Sequence, residues 1–161
     1  RAVPEATVLM RAYLFAFVAG IGAGLVQADA ALETAFETRL EEADGLAREG
    51  QIDSALAAYR ALSDRQPDSA VVHTRMGGML LLKRHYAGAI RSFQVAIGLD
   101  PETSGAAFVG LGIAYLHLGQ YGPASAALAE ARRLKPGSAA DLDQLLAWLD
   151  GRASAPGDSQ R

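Results

Sequence analysis

Residues 118–136 read LGQYGPASAALAEARRLKP. The composition is that of a helix, yet Gly122 and Pro123 stand near its front and Pro136 closes it. Aligning the chain on Ala124, Leu128 and Pro136 explains this punctuation. The same small, large, proline spacing occurs at Ala89, Phe93 and Pro101, and again at Ala55, Tyr59 and Pro67, with the prolines 34 and 35 residues apart. A second register lies upstream of each triplet. It reads Phe108-x2-Leu111-Gly112-x2-Tyr115 in the last copy and His73-x2-Met76-Gly77-x2-Leu80 in the middle one; the first copy keeps it loosely, as Arg39-x2-Glu42-Ala43-x2-Leu46. A period of this length marks a stack of supersecondary units.

Each register position has a physical reason. Small residues at Ala43, Gly77 and Gly112, and at Ala55, Ala89 and Ala124, let two helices of a hairpin approach closely. Tyr59, Phe93 and Leu128 fill the space between neighbouring hairpins. The prolines end the second helices, since proline lacks the amide proton and biases its predecessor away from the helical region. Pro123 is tolerated because it falls in a first turn, where an amide proton would have no partner. Ser138 and Asp141 have the spacing of a capping box and open a last helix carrying Leu142, Leu145, Leu146, Trp148 and Leu149. The spacing predicts helices near 32–49, 53–65, 69–83, 87–99, 104–118, 122–135 and 139–150.

This pattern resembles the tetratricopeptide repeat, W-x2-L-G-x2-Y, then A-x3-F, then P. The resemblance covers residues 36–136 and implies an all-α solenoid of about three helix hairpins: repeats 36–69, 70–104 and 105–138, with a capping helix at 139–150, forming a domain over 31–150. An end repeat must shield an apolar face that has no next neighbour, which is the expected task of that last helix. The chain departs from the pattern in places. Arg84 and His85 stand where a turn glycine is expected and where the other copies keep Gly50 and Gly119, and Leu62 replaces the alanine found at Ala96 and Ala131. The first helix, rich in Glu37, Arg39, Glu41, Glu42 and Asp44, is expected to serve partly as a solvated end cap.

The front of the chain has a different character. Residues 1–9 precede Met10 and read as an upstream extension, and 10–30 read as a secretory signal: Arg11 leads an uncharged run from Ala12 to Val26, and Ala28-Asp29-Ala30 supplies a small-x-small cleavage pattern. The run has 15 residues, short of the roughly 20 that a spanning helix needs. Cleavage would leave Ala31 as the mature start; an uncleaved membrane anchor and a buried helix are the alternatives. Export to a periplasm or to the exterior is the expectation, in a bacterium on the 13-to-2 excess of arginine over lysine and the abundance of alanine. The tail 151–161, GRASAPGDSQR, has no periodic apolar content and is expected to be disordered.

Several functions have no support in the sequence. The net charge is -3, which offers no electrostatic attraction for nucleic acid. There is no cysteine, so disulfides, thiol nucleophiles and Cys-ligated zinc are excluded. His73, His85 and His117 never share the i, i+4 spacing of a helical metal site. His73 takes the family's tryptophan position and is expected to pack; His85 falls in a turn. The GIGAG at 20–24 lacks a preceding strand, and the GLG at 110–112 belongs to the packing register. No cofactor, metal or catalytic residue is expected, and the chain does not read as an enzyme.

Function is expected on the first helices, which in the resembled family line a concave groove that holds a peptide or a partner's helix. Helical geometry puts Val71, Thr74, Gly78, Leu81 and Leu82 on one side of the middle first helix, with Val109, Ile113, Leu116 and His117 equivalent in the last copy. In the first copy the face is Leu40, Asp44, Ala47 and Arg48. Repeats that grip a chaperone's C-terminal carboxylate present Lys, Arg and Asn there, and this chain has no Asn. The expected partner is an apolar or amphipathic protein segment, with this chain's own last helix or a second copy as the alternative occupant of the face. The membrane enters only through the N-terminal segment if it stays uncleaved.

Overall fold

A computed structural model of the chain describes residues 31–134, 137 and 139–153. The signal segment, Pro136, Ser138 and the tail beyond Ala153 lie outside the described residues. The seven helices among them are α1 (31–48), α2 (Ile52–Ser63), α3 (Ala70–Leu82), α4 (Tyr86–Leu99), α5 (Gly105–His117), α6 (Tyr121–Leu134) and α7 (Ala139–Ala153), with no strand. The chain divides into two units between Arg39 and Leu40. Within the second, each helix from α2 onward packs on the next, and α3 also meets α5. This is the all-α hairpin solenoid that the repeats predict. The helix bounds agree with the sequence reading to within three residues, and the largest difference is at the C-terminal end of α7.

The core is two clusters in series. The central one gathers Leu56, Leu80, Ala89, Phe93, Ala96, Ala107, Leu111, Ala114 and Ala127, and the terminal one Ala124, Leu128, Ala131, Leu142, Leu146 and Leu149. The register glycines are what let them form. A Cβ on Gly77 would lie 2.6 Å from Phe93 Cε1, and one on Gly110 would lie 2.3 Å from Phe93 Cζ, so the ring is wedged against the bare backbones of α3 and α5. Gly112 likewise faces Leu128 Cγ, at 2.6 Å from a built Cβ. Any larger residue at these three positions would part the helices.

The hairpin turns share one geometry. Gly119 N–H donates to Leu116 O and Gln120 N–H to Tyr115 O, at 3.0 and 2.9 Å; Arg84 and His85 repeat the pair onto Leu81 and Leu80, and Gly50 and Gln51 onto Ala47 and Leu46. These bonds satisfy carbonyls left open by the last helical turn and require a left-handed residue. Gly50 has φ 77°, Gly119 φ 70°, and Arg84 φ 58°. The middle turn therefore keeps the shape of the other two without their glycine, at a cost of about 1–2 kcal/mol for a residue bearing a Cβ. Between α4 and α5, buried Ser104 donates back to the carbonyls of Ala96 and Asp100, tying off the end of α4.

At the far end, α7 seals the solenoid. Leu149 is fully buried, with Leu142 and Leu146 beside it. The helix continues three residues past the expected 150 because Arg152 has partners. Its guanidinium lies 4.8 Å from the Trp148 ring centroid and donates to Tyr121 Oη at 3.2 Å, while Trp148 meets Tyr121 edge-on at 6.2 Å. A cation in the last turn also suits the helix dipole.

Candidate functional site

The first-helix face is built by the alternation within α3 and α5. Residues of one register, Gly77 and Leu80 in α3 and Leu111 and Gly112 in α5, are buried against the second helices. The opposite register remains accessible. Val71 is 50 % exposed, Leu82 64 % and Ile113 36 %. A Cβ on Gly78 would meet no atom within 4 Å. Thr74 is partly buried, and its hydroxyl donates to Ala70 O at 2.9 Å within its own helix, so it brings no free donor to the face.

The remaining predicted site residues are placed differently. Leu81 is partly buried against the central cluster. Val109 and Leu116 are partly buried against the terminal cluster, whose members include Leu142, Leu146 and Leu149 of α7. His117 is exposed at its edge but stacks on Tyr86 at the start of α4, with ring centroids 4.7 Å apart and planes 10° from parallel. Val71, Leu82 and Ile113 are thus exposed and Thr74 and Gly78 partly so, while Leu81, Val109, Leu116 and His117 also hold neighbouring elements. His73 is held by Pro67, its Nε2 lying 2.8 Å from that carbonyl.

One feature of this face was missed by sequence reasoning. Asp44 accepts hydrogen bonds from Tyr59 Oη and from Arg75 Nε, the latter at 3.0 Å, and with Ala47, Arg48 and Arg75 it lines a pocket of about 310 Å³. Burial first, and then the Asp44 carboxylate, push the Tyr59 hydroxyl well above the ordinary tyrosine range. Arg48 donates to the Asp44 carbonyl at 3.2 Å. Asp44, Ala47 and Arg48 were legible as face positions, but Arg75 lies outside that register, and its pairing with a residue 31 positions away carries no sequence signal. The face is therefore apolar along α3 and α5 and charged at its α1 corner. Among the described residues no cluster of His, Asp or Glu could hold a metal ion, and no helix is long and apolar enough to cross a membrane.

Comparison with known proteins agrees with this fold. A tetratricopeptide repeat family profile matches residues 80–149. Among solved structures, PcrH in complex with the chaperone binding region of PopD superposes with a TM-score of 0.72 at 19 % identity, over 76 % of this chain and 96 % of that one. The first TPR of Spaghetti (RPAP3) bound to the HSP90 peptide SRMEEVD gives 0.70 at 18 %, over 74 % and 94 %. The TPR2B domain of yeast Sti1 in its pHsp70 complex gives 0.65 at 22 %, over 71 % and 98 %. No curated protein sequence matches the chain. The fold is that of tetratricopeptide repeats, and the profile match supports reading the chain as a protein of that kind.

Proposed function

We propose that this chain is a non-enzymatic protein-interaction module, an exported adaptor or assembly factor that takes an apolar or amphipathic segment of a partner along the first-helix face. The observation that carries the reading is the exposure of three large apolar side chains in this register, Val71, Leu82 and Ile113, with open space at Gly78. Large apolar side chains left exposed on a common register are a mark of a partner site. Structures of this fold supply the analogy: PcrH is seen with a segment of PopD and the Spaghetti domain with an HSP90 peptide. The α1 corner differs from the apolar strip, since Asp44 there is already paired with Arg75.

Leu82→Asp and Ile113→Asp test the site without touching the core. Both should abolish capture of the partner while leaving helicity and melting temperature near those of the parent. Undiminished capture by the folded double variant would refute the site. Leu81 is unsuited to this test because it packs on the central cluster. Export rests on the sequence pattern of residues 10–30. Mass spectrometry of the exported product should find an N-terminus at Ala31, and a chain retaining Met10 would refute cleavage.

A further inference from the structure

A second cavity, of about 610 Å³, shares no lining residue with the first-helix face. It is lined by Arg60 of α2, by Arg84 and His85 of the α3–α4 turn, and by Arg91 and Ser92 of α4. Three arginines from three separate segments therefore border one volume. None of the three has an ion-pair partner among the described residues, whereas Arg75, Lys83 and Arg132 each have one and Arg133 has two.

The backbone increases the positive field. Tyr86, Ala87 and Gly88, the first turn of the 14-residue α4, also line the cavity. That turn carries no acidic residue, and its N-cap, His85, makes no side-chain capping bond. Its free amide protons and the positive end of the helix dipole are thus uncompensated. Arg91 adds to them: a Cβ on Gly88 would lie 3.9 Å from Arg91 Nη2, which places a guanidinium beside the same helix end. Placing a cation there is unfavourable unless an anion joins it.

Ser92 also borders the cavity; its hydroxyl makes no hydrogen bond to a described residue and keeps access to solvent there, so it can donate to a bound group. Arg84, finally, holds the left-handed position that glycine fills in the other two turns, so the chain keeps a charged side chain at the cavity where a bare backbone would be less strained.

We propose that this cavity binds a phosphoryl group, as a phosphate monoester or a lipid phosphate. A carboxylate offers two acceptor oxygens and one charge. A terminal phosphoryl group offers three oxygens and up to two charges, the better match to three guanidinium forks, a serine hydroxyl and helix-end amides. The site would supply recognition without chemistry.

The test is titration of the full chain with inorganic phosphate at low ionic strength, followed by calorimetry, alongside sedimentation with phosphatidylcholine vesicles with or without phosphatidic acid. Saturable binding of phosphate that weakens as salt is added is the expected result. Retention on the phosphatidic acid vesicles that free phosphate displaces assigns a lipid source, and phosphate binding without retention assigns a soluble one. Arg84→Gly separates binding from structure, because it should weaken binding about tenfold, the equivalent of one charge-assisted hydrogen bond, while raising the melting temperature. No saturable binding to either probe, or binding by Arg84→Gly equal to the parent's, would overturn the proposal.

Discussion

Adjacent glycines in α3 should respond to the same substitution with opposite sign. At Gly77 a Cβ would sit 2.6, 2.7 and 2.8 Å from three atoms of the Phe93 ring; at Gly78 it would meet nothing within 4 Å. Ordinary contact needs about 3.5 Å or more, so Gly77→Ala requires the ring to retreat by close to 1 Å. Its freedom to move is limited, because two of the same ring atoms, Cζ and Cε1, already press on Gly110, at 2.3 and 2.7 Å from a built Cβ. The overpacking penalty should then lie near the upper end of the usual range, about 3 kcal/mol. Replacing an interior helical glycine by alanine returns about 1 kcal/mol. Gly77→Ala should therefore destabilise by about 2 kcal/mol, and Gly78→Ala should stabilise by up to about 1 kcal/mol. Urea unfolding followed by far-ultraviolet circular dichroism gives both values. Phe93→Leu in the Gly77→Ala background removes the ring atoms that clash, so the double variant should be at least 1 kcal/mol more stable than the two single changes sum to. A neutral Gly77→Ala, or strict additivity with Phe93→Leu, would refute the wedge.

Truncating the fully buried Leu149 to alanine should cost about 3 kcal/mol; hydrogen exchange should show the loss first in α7 and in the turns of α6 it covers. Tyr59 should remain protonated in ultraviolet titration beyond the pH at which a free tyrosine ionises, and Asp44→Asn should reduce that elevation without abolishing it, since burial is the larger cause. The sign follows from linkage: a hydroxyl whose folded pKa is raised contributes stability that is complete below about pH 10 and declines as pH rises beyond it, so denaturant midpoints should fall above that pH, and less steeply in Tyr59→Phe. Asp53, held below the ordinary carboxylate range by its hydrogen bond and charge contact with Lys83, should titrate normally by NMR in Lys83→Met. That pair lies at the surface, so the same variant should unfold at the same urea concentration as the parent.

The fold was legible because its determinants are local and recur. Ala89, Phe93 and Pro101 mean little alone, but their return at Ala124, Leu128 and Pro136 fixes a register, and a register fixes which residue of one helix meets which residue of the next. What it cannot fix is which face stays open. Val109 and Leu116 occupy the same register as Thr74 and Leu81, yet they also pack on the α6–α7 cluster, and nothing in the repeat pattern says how far the capping helix reaches. The Asp44–Tyr59–Arg75 corner was hidden for a related reason, since it joins side chains from three helices that periodicity treats separately.

Departures from the register are where this chain is most its own. A solenoid of repeats needs its small residues wherever helices touch, and Gly77, Gly110 and Gly112 obey that requirement under contacts that leave no alternative. The turns are constrained less tightly, because the left-handed residue there has open space around it: a Cβ on Gly50 or Gly119 would meet nothing within 4 Å. A side chain at that position costs backbone strain but no packing, so a charge can be introduced there without parting helices. Arg84 occupies that site, and it does so beside Arg91 and an uncapped helix end. Strain in a backbone persists where something else holds it, and here the shared turn hydrogen bonds to Leu81 and Leu80 do the holding. The scaffold's conformity thus makes room for a non-conforming residue, in a cavity that shares no lining residue with the first-helix strip.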